Sequence, residues 1–261
     1  MTVGINVDPN NDCAAPSAAR LIQSGFGGVR LTARDNPVNK QYIADMLAAG
    51  LEVVAVVATG DNAGYQPPQQ KVILQIYNEP DITDTAMAAS DYADLFAEWR
   101  NKPGIKGNPN VRCWAAGLAS GGGNATSYLS DFLIALKANH PDTPFPDAVD
   151  IHPYTLTPTG LRALAEGCWN VTVEQTETGI PIVATEWFHS VNPVDLITPF
   201  QAALNDPDPA GECTVWNSFF GWCSNMSDLP DAVVAPDATC LPAGRRLIAA
   251  IGGDASWCDA G

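Results

Sequence analysis

Apolar runs alternate with helical stretches along this chain from end to end, and that alternation restricts the fold more than any other feature of the sequence. Eight runs read as buried strands: VGINV (3–7), GGVRLTA (27–33), LEVVAVVATG (51–60), KVILQIYNEP (71–80), NVRCWAAGLAS (110–120), DAVDIHPYT (147–155), IPIVATEWFH (180–189) and ECTVWNSFFGW (212–222). Nearly all are followed by a helical pattern, at 15–25, 36–50, 83–102, 127–140, 160–179, 192–206 and 241–253. In NPVNKQYIADMLAAG, Pro37 stands near the helix start and Gly50 past its end, the usual asymmetry of helix termini. Thr83, Asp84 and Thr85 are candidate N-caps for the helix that follows them. Strands without polar alternation, interleaved with helices, imply a parallel sheet.

Eight such units in 261 residues match a closed (β/α)8 barrel, which takes about 250 residues. No composition shift marks a linker, so the expected architecture is α/β: a single (β/α)8 TIM barrel spanning 1–261. Its third helix is expected to be short or absent, because only DNAGYQPPQQ separates VVATG from KVILQ. The apolar runs alone also allow a doubly wound open sheet. The first turn, NVDPNND, lacks the Gly-rich dinucleotide pattern that such a fold would carry for a nucleotide cofactor.

Charge narrows the partners. Thirteen Lys and Arg face twenty-nine Asp and Glu, a formal net charge of −16. That field repels nucleic acid, anionic lipid surfaces and polyanionic glycans. No stretch approaches the roughly 20 apolar residues of a membrane-spanning helix. A monomer binding neither nucleic acid nor membrane is expected. MTVGINVDPNND shows no basic region followed by an apolar one, so no signal peptide is read there; either the chain stays inside the cell, or a leader lies outside this sequence, or export takes another route.

Of the seven cysteines, Cys213, Cys223, Cys240 and Cys258 crowd the last fifth of the chain, while Cys13, Cys113 and Cys168 are scattered. There is no CxxC pair, which argues against a zinc ribbon or redox motif. Cys113 reads as a small buried hydrophobe. One or two disulfides among the C-terminal four are expected in an exported protein.

In a barrel of this kind, catalytic groups sit at the C-terminal ends of strands. Reading those ends gives Arg30, Asn78, Glu79, Asp150, His152, Tyr154, Glu186, Trp187 and Trp216. Glu79 follows VILQIYN and Glu186 follows IPIVAT, so each carboxylate closes a strand that has no place on the surface. Two carboxyl groups across a barrel mouth are what glycosidic-bond hydrolysis needs: one protonates the leaving oxygen, the other attacks the anomeric carbon or activates water. For direct attack the two should lie roughly 5–5.5 Å apart. No metal or organic cofactor is expected.

An Asn-Glu-Pro after the fourth strand with a second Glu after the seventh resembles clan A of the glycoside hydrolases, and NEPD with the compact length resembles families 39 and 128 within it. The resemblance implies a retaining (β/α)8 enzyme. It gives Glu79 in YNEPD the general acid/base role and Glu186 in ATEWF the nucleophile. Asn78 is implied to contact the hydroxyl next to the anomeric carbon, and Arg30 in GGVRLTA to hold the nucleophile ionised. His152 and Tyr154 in DIHPYT match a His-x-Tyr pattern on strand six, and Trp216 in CTVWNS matches a sugar platform on strand eight. Trp187 is a further binding candidate. A cationic Arg30 should depress Glu186, while apolar walls and a neighbouring carboxylate should raise Glu79.

Blander roles stand beside these. Glu79 can serve as a charge at a helix start, Arg30 as the partner of Asp35, His152 as a satisfied core histidine, and Tyr154 as packing. The expected function is hydrolysis of a neutral, β-linked oligo- or polysaccharide by double displacement. The alternatives are transglycosylation at the same site and a catalytically weak carbohydrate-binding barrel.

Overall fold

The computed structural model describes residues 2–10, 15–58, 62, 64–82, 86–119, 122–154, 158–186, 215–221 and 242–259. Eight strands carry the fold: β1 (Thr2–Asn6), β2 (Gly28–Thr32), β3 (Glu52–Val57), β4 (Val72–Ile76), β5 (Val111–Leu118), β6 (Ala148–Ile151), β7 (Ile182–Ala184) and β8 (Val215–Gly221). Each pairs in parallel with its sequence neighbour, and β8 closes on β1 with Thr2 opposite Asn217 and Asn6 opposite Gly221. The described helices are α1 (Ala18–Gln23), α2 (Pro37–Ala48), α3 (Ala89–Arg100), α4 (Gly122–Asn139), α5 (Pro158–Thr176) and α6 (Pro242–Ala250). The closed barrel expected from the alternation is the observed one, and the open sheet is excluded. No α-helix occurs among the described residues between β3 and β4, where Pro67, Pro68 and Gly64 deny a helix its interior hydrogen bonds.

Local chemistry sets the element ends. The Asn36 side chain accepts a hydrogen bond from the amide of Asn39, Pro37 fills the first helical turn of α2, and Gly50 beyond its end takes a φ of +80°, as read from the sequence. Helix α3 departs from expectation. It starts at Ala89, and its N-cap Ala88 makes no side-chain cap bond; the expected caps Thr83, Asp84 and Thr85 lie outside the described residues. The register of α3 follows instead from its buried face, Tyr92, Ala93, Phe96, Ala97 and Trp99, because tertiary burial outweighs a cap worth about 1 kcal/mol. Helix α4 likewise begins at Gly122, ahead of the Ser127 start expected from composition.

Two cores result. The larger fills the space between strands and helices, where Tyr92 and Phe132 pack with ring centroids 4.7 Å apart. The smaller sits inside the barrel and consists of Val54, Ile73, Trp114, Ala148 and Val183. Trp114 is therefore core. At the N-terminal end of β5 and β6, Arg100 of α3 grips Asp147 with two hydrogen bonds of 2.5 and 3.2 Å, and Asp147 also accepts the amide of Cys113 at 2.6 Å. Cys113 is fully buried, as expected, and its thiol is pushed up by that burial. Cys258 is disulfide-bonded; Cys213, Cys223 and Cys240 lie outside the described residues. No described helix is long and apolar enough to cross a membrane.

Candidate active site

The floor of the site follows from the two-residue period of a strand. Two positions beyond Ile73 stands Gln75, beyond Ala148 stand Asp150 and then His152, and beyond Val183 stands Thr185, so the strands that plug the barrel with apolar residues line its upper part with polar ones. Arg30, Gln75, Asp150, His152 and Thr185 are all buried. Buried polar groups must be paired, and here they pair with one another.

Arg30 is the hub. It is 6% exposed. Its Nε donates to Gln75 Oε1 at 2.6 Å, its Nη1 to Asn6 Oδ1 at 3.0 Å and to Glu186 Oε1 at 2.5 Å, and its Nη2 to Asn78 Oδ1 at 2.7 Å. Gln75 returns its amide to Asn78 Oδ1 and to the carbonyl of Tyr77. Arg30 is thus held by side chains from β1, the end of β4 and the end of β7, and does not pair with Asp35, which bonds Lys40 instead. Burial alone would raise Glu186; the Arg30 guanidinium, with His152 and Tyr154, reverses this and holds its carboxyl down at about 2. Glu186 is ionised at any pH above the strongly acidic range, the state a nucleophile needs.

Glu79 is brought to the same place by an unusual piece of backbone. Beyond β4, Tyr77 and Glu79 both adopt left-handed conformations, φ +71° and +51°. Non-glycine residues there cost about 1–3 kcal/mol each and persist only when the surroundings enforce them. The enforcing bonds are Tyr77 N to Val57 O (2.8 Å) and Glu79 N to Gly117 O (3.1 Å). Asp81 then accepts the amide of Ala119, fastening the loop to the end of β5.

His152 Nδ1 lies 2.8 Å from Glu79 Oε1. The Tyr154 hydroxyl lies between the carboxylates, 2.7 Å from Glu79 Oε1 and in a still shorter contact with Glu186 Oε2. His152 occupies the space a side chain at position 117 would fill: a Cβ on Gly117 would meet His152 Nε2 at 2.0 Å. One charge expectation is overturned. Burial does push Glu79 up, but the hydrogen bonds from His152 and Tyr154 outweigh burial and the Glu186 charge, and its carboxyl is held below the usual range. His152, although buried, is pushed up to about 9 by Glu186, Asp150 and Glu79. The proton expected on Glu79 therefore belongs to the Glu79–His152 pair and rests on the imidazole side. Burial and both carboxylates push Tyr154 upward, so it stays a hydroxyl.

Arg30, Asn78, Glu79, His152, Tyr154 and Glu186 thus meet at one mouth. Trp187 lies outside the described residues. Trp216 is on β8 at the barrel wall, and its side chain lies outside the described part. Asn6, Gln75, Thr185 and Gly117 belong to the site without having been singled out from the sequence, while Asp150, read there as a strand-end candidate, lies beneath it. The signal for Gln75 and Thr185 was a polar residue at an inward position of an apolar strand, as in VILQI and IVAT. Among the described residues, Glu79, His152 and Glu186 are also the set that can offer atoms to a metal ion, all within 4.8 Å of one another. Here His152 Nδ1 is engaged with Glu79, and Glu186 Oε1 with Arg30, whose fixed positive charge opposes a cation.

No protein-family model matches the sequence, and no curated protein matches it. Solved structures match in fold. A GH128 (subgroup IV) endo-β-1,3-glucanase from Lentinula edodes superposes with a TM-score of 0.65 at 14% identity, over 94% of this chain and 98% of that chain. A GH128 (subgroup II) endo-β-1,3-glucanase from Sorangium cellulosum gives 0.59 at 14%, over 96% and 98%. A thermostable mutant of a xylanase from Cellvibrio japonicus gives 0.60 at 14%, over 97% and 98%. The chain has the (β/α)8 barrel fold of these glycoside hydrolases along nearly its whole length and theirs.

Proposed function

We propose that this protein is a retaining glycoside hydrolase acting on a neutral β-glucan. The observation that carries the reading is the spacing of the carboxylates. An oxygen of Glu79 and one of Glu186 lie within 4.8 Å, bridged by the Tyr154 hydroxyl. Oxygens this close suit direct attack, for which the carboxyl groups stand about 5–5.5 Å apart, better than inversion, for which they stand about 6.5–9.5 Å apart. The charge states agree. Glu186, anionic beside Arg30, attacks the anomeric carbon and forms an ester. As its charge is consumed, the pull that keeps the shared proton on His152 weakens; Glu79 takes that proton and delivers it to the leaving oxygen. In the second step Glu79 accepts a proton from water, which attacks the same carbon and releases Glu186. The substrate class follows from the acidic field of the chain, which disfavours anionic glycans, and is supported by two fold neighbours that are endo-β-1,3-glucanases.

The test is hydrolysis of a panel of neutral polysaccharides, beginning with β-1,3-glucan, with the reducing end followed by NMR in the first minutes. The β-anomer should appear first and mutarotate later. An α-anomer appearing first would sink the retaining mechanism, and no cleavage of any β-glucan would sink the reading as a whole.

A further inference from the structure

Asp150 is buried beneath the site and touches neither carboxylate of the proposed reaction. Its relative exposure is 0% and that of His152 is 1%. Asp150 Oδ1 accepts the amide of Thr185 at 2.9 Å, and Oδ2 takes the Thr185 hydroxyl in a very short contact. The same Oδ2 lies 3.3 Å from His152 Nε2. Thr185 Oγ1 is also 3.3 Å from Nε2, and since its single hydrogen is turned to Asp150, it meets the ring as an acceptor. Both neighbours of Nε2 are thus acceptors, so Nε2 must carry a proton. The missing Cβ of Gly117 leaves the ring room to sit there.

The consequence falls on the other nitrogen. With Nε2–H committed to Asp150 and Thr185, Nδ1 faces Glu79 in one of two ways. In the charged ring it donates to a carboxylate; in the neutral ring it accepts from a carboxylic acid. One proton lies between Nδ1 and Oε1 in both states. We propose that Asp150 is a positioning residue that fixes the protonation of His152 and thereby keeps a transferable proton in the Glu79–His152 pair. This inference rests on the hydrolase reading for its catalytic consequence. The charged and titratable groups facing His152 are Glu79 from the end of β4, Asp150 on β6, Tyr154 just beyond it and Glu186 after β7, the last also paired with Arg30. Asp150 is the one carboxylate among them with no part in the chemistry, and the charged group it faces is His152 itself. An amide at position 150 would turn its NH2 toward Nε2, favour the opposite tautomer and leave Nδ1–H against an ionised Glu79, with no proton to spare.

The experiment has two arms. Long-range ¹⁵N–¹H spectra of the imidazoles in the whole protein, with the other two histidines assigned through His140→Gln and His189→Gln, should show Nε2 of His152 protonated through neutral pH. A bare Nε2 in the wild type overturns the proposal whether or not any variant folds. In the kinetic arm, Asp150→Asn should lower kcat/KM on an unactivated β-glucan by roughly 10²-fold, the scale of a lost general acid. The basic limb of its pH profile should move to lower pH, because a negative charge that favours the protonated pair is gone. The first step on a dinitrophenyl glycoside, whose leaving group needs no proton, should be nearly unchanged. An unmoved basic limb, or equal losses on both substrates, overturns the proposal. A wild type that cleaves no glycoside sinks the hydrolase reading instead, and the spectra still decide what Asp150 does to His152.

Discussion

Glu79 and Glu186 sit in one hydrogen-bonded cluster with opposite demands on their protons, and single substitutions separate the two. Glu186→Ala removes the nucleophile, so hydrolysis of every glycoside should fail; added azide, entering the space left, should give a glycosyl azide of inverted configuration. Glu79→Ala should slow natural substrates by about 10²–10⁴-fold while sparing the first step on activated aryl glycosides, and azide should then give a product of retained configuration. Exchanged product configurations, read by NMR, would reverse the two roles. Gly117 is testable in the same way. A methyl group there would overlap His152 Nε2, so Gly117→Ala must move the imidazole away from Glu79. Displacements of about 1 Å cost roughly 10²-fold in rate, and kcat/KM should fall by that order while circular dichroism of the folded barrel is preserved. The two glutamates and Arg30 were legible because charged residues have few reasons to end apolar strands. Gly117 was not, since a glycine in a strand gives no hint of which distant side chain fills its space.

The elements divide the barrel into two ends with different duties. The C-terminal ends of β2, β4, β6 and β7 carry the charged cluster, while the N-terminal ends of β5 and β6 are tied by the Arg100–Asp147 fork and its bond to the Cys113 amide. The second feature belongs to stability. Arg100→Ala leaves the Asp147 carboxylate with half its partners and should cost about 2 kcal/mol, a fall in Tm of roughly 4–8 °C in a chain of this size. Thermal unfolding should show that fall, with kcat within a factor of about two of wild type, since the fork is at the opposite end from Glu79 and Glu186; a loss of activity in the still-folded variant would contradict this separation. Periodicity announced the elements themselves. It could not place the start of α3, because a residue such as Ala88 becomes an N-cap only when the buried face beyond it decides the register.

At the scale of the molecule, the site leaves its mark on stability against pH. The carboxyl of Glu186 is lower in the folded chain than in the unfolded one, so its contribution is present above about pH 4.5, the usual carboxyl value, and is lost as pH falls toward about 2. His152 is raised from about 6.5 to about 9. Its contribution is full below pH 6.5 and is lost as pH rises through 9. Thermal stability of the wild type should therefore decline between pH 6.5 and 9 more steeply than that of His152→Gln, in which this proton is absent. Parallel curves across that window would show that His152 carries no raised pKa. The net charge of −16 adds self-repulsion above neutrality in both proteins alike, so the comparison isolates the imidazole.

What the sequence determined by itself was everything that repeats along the chain. Eight apolar runs cannot be buried singly, and the helices between them call for a parallel sheet covered by helices; the pairing of β8 with β1 made it a closed barrel rather than an open sheet. The same reasoning marked the strand-end carboxylates, since an ionised side chain beside such runs must find a partner or a task. Tertiary structure alone decided which groups share a proton. The pKa order of Glu79, His152 and Glu186 depends on close contacts between residues far apart in the chain, and electrostatic coupling varies with distance and with burial, neither of which is written locally. That is why Glu79, expected to be raised by burial, is held down by His152 and Tyr154, and why Asp150 and Gly117 acquired their places only when β5 and β6 were laid side by side.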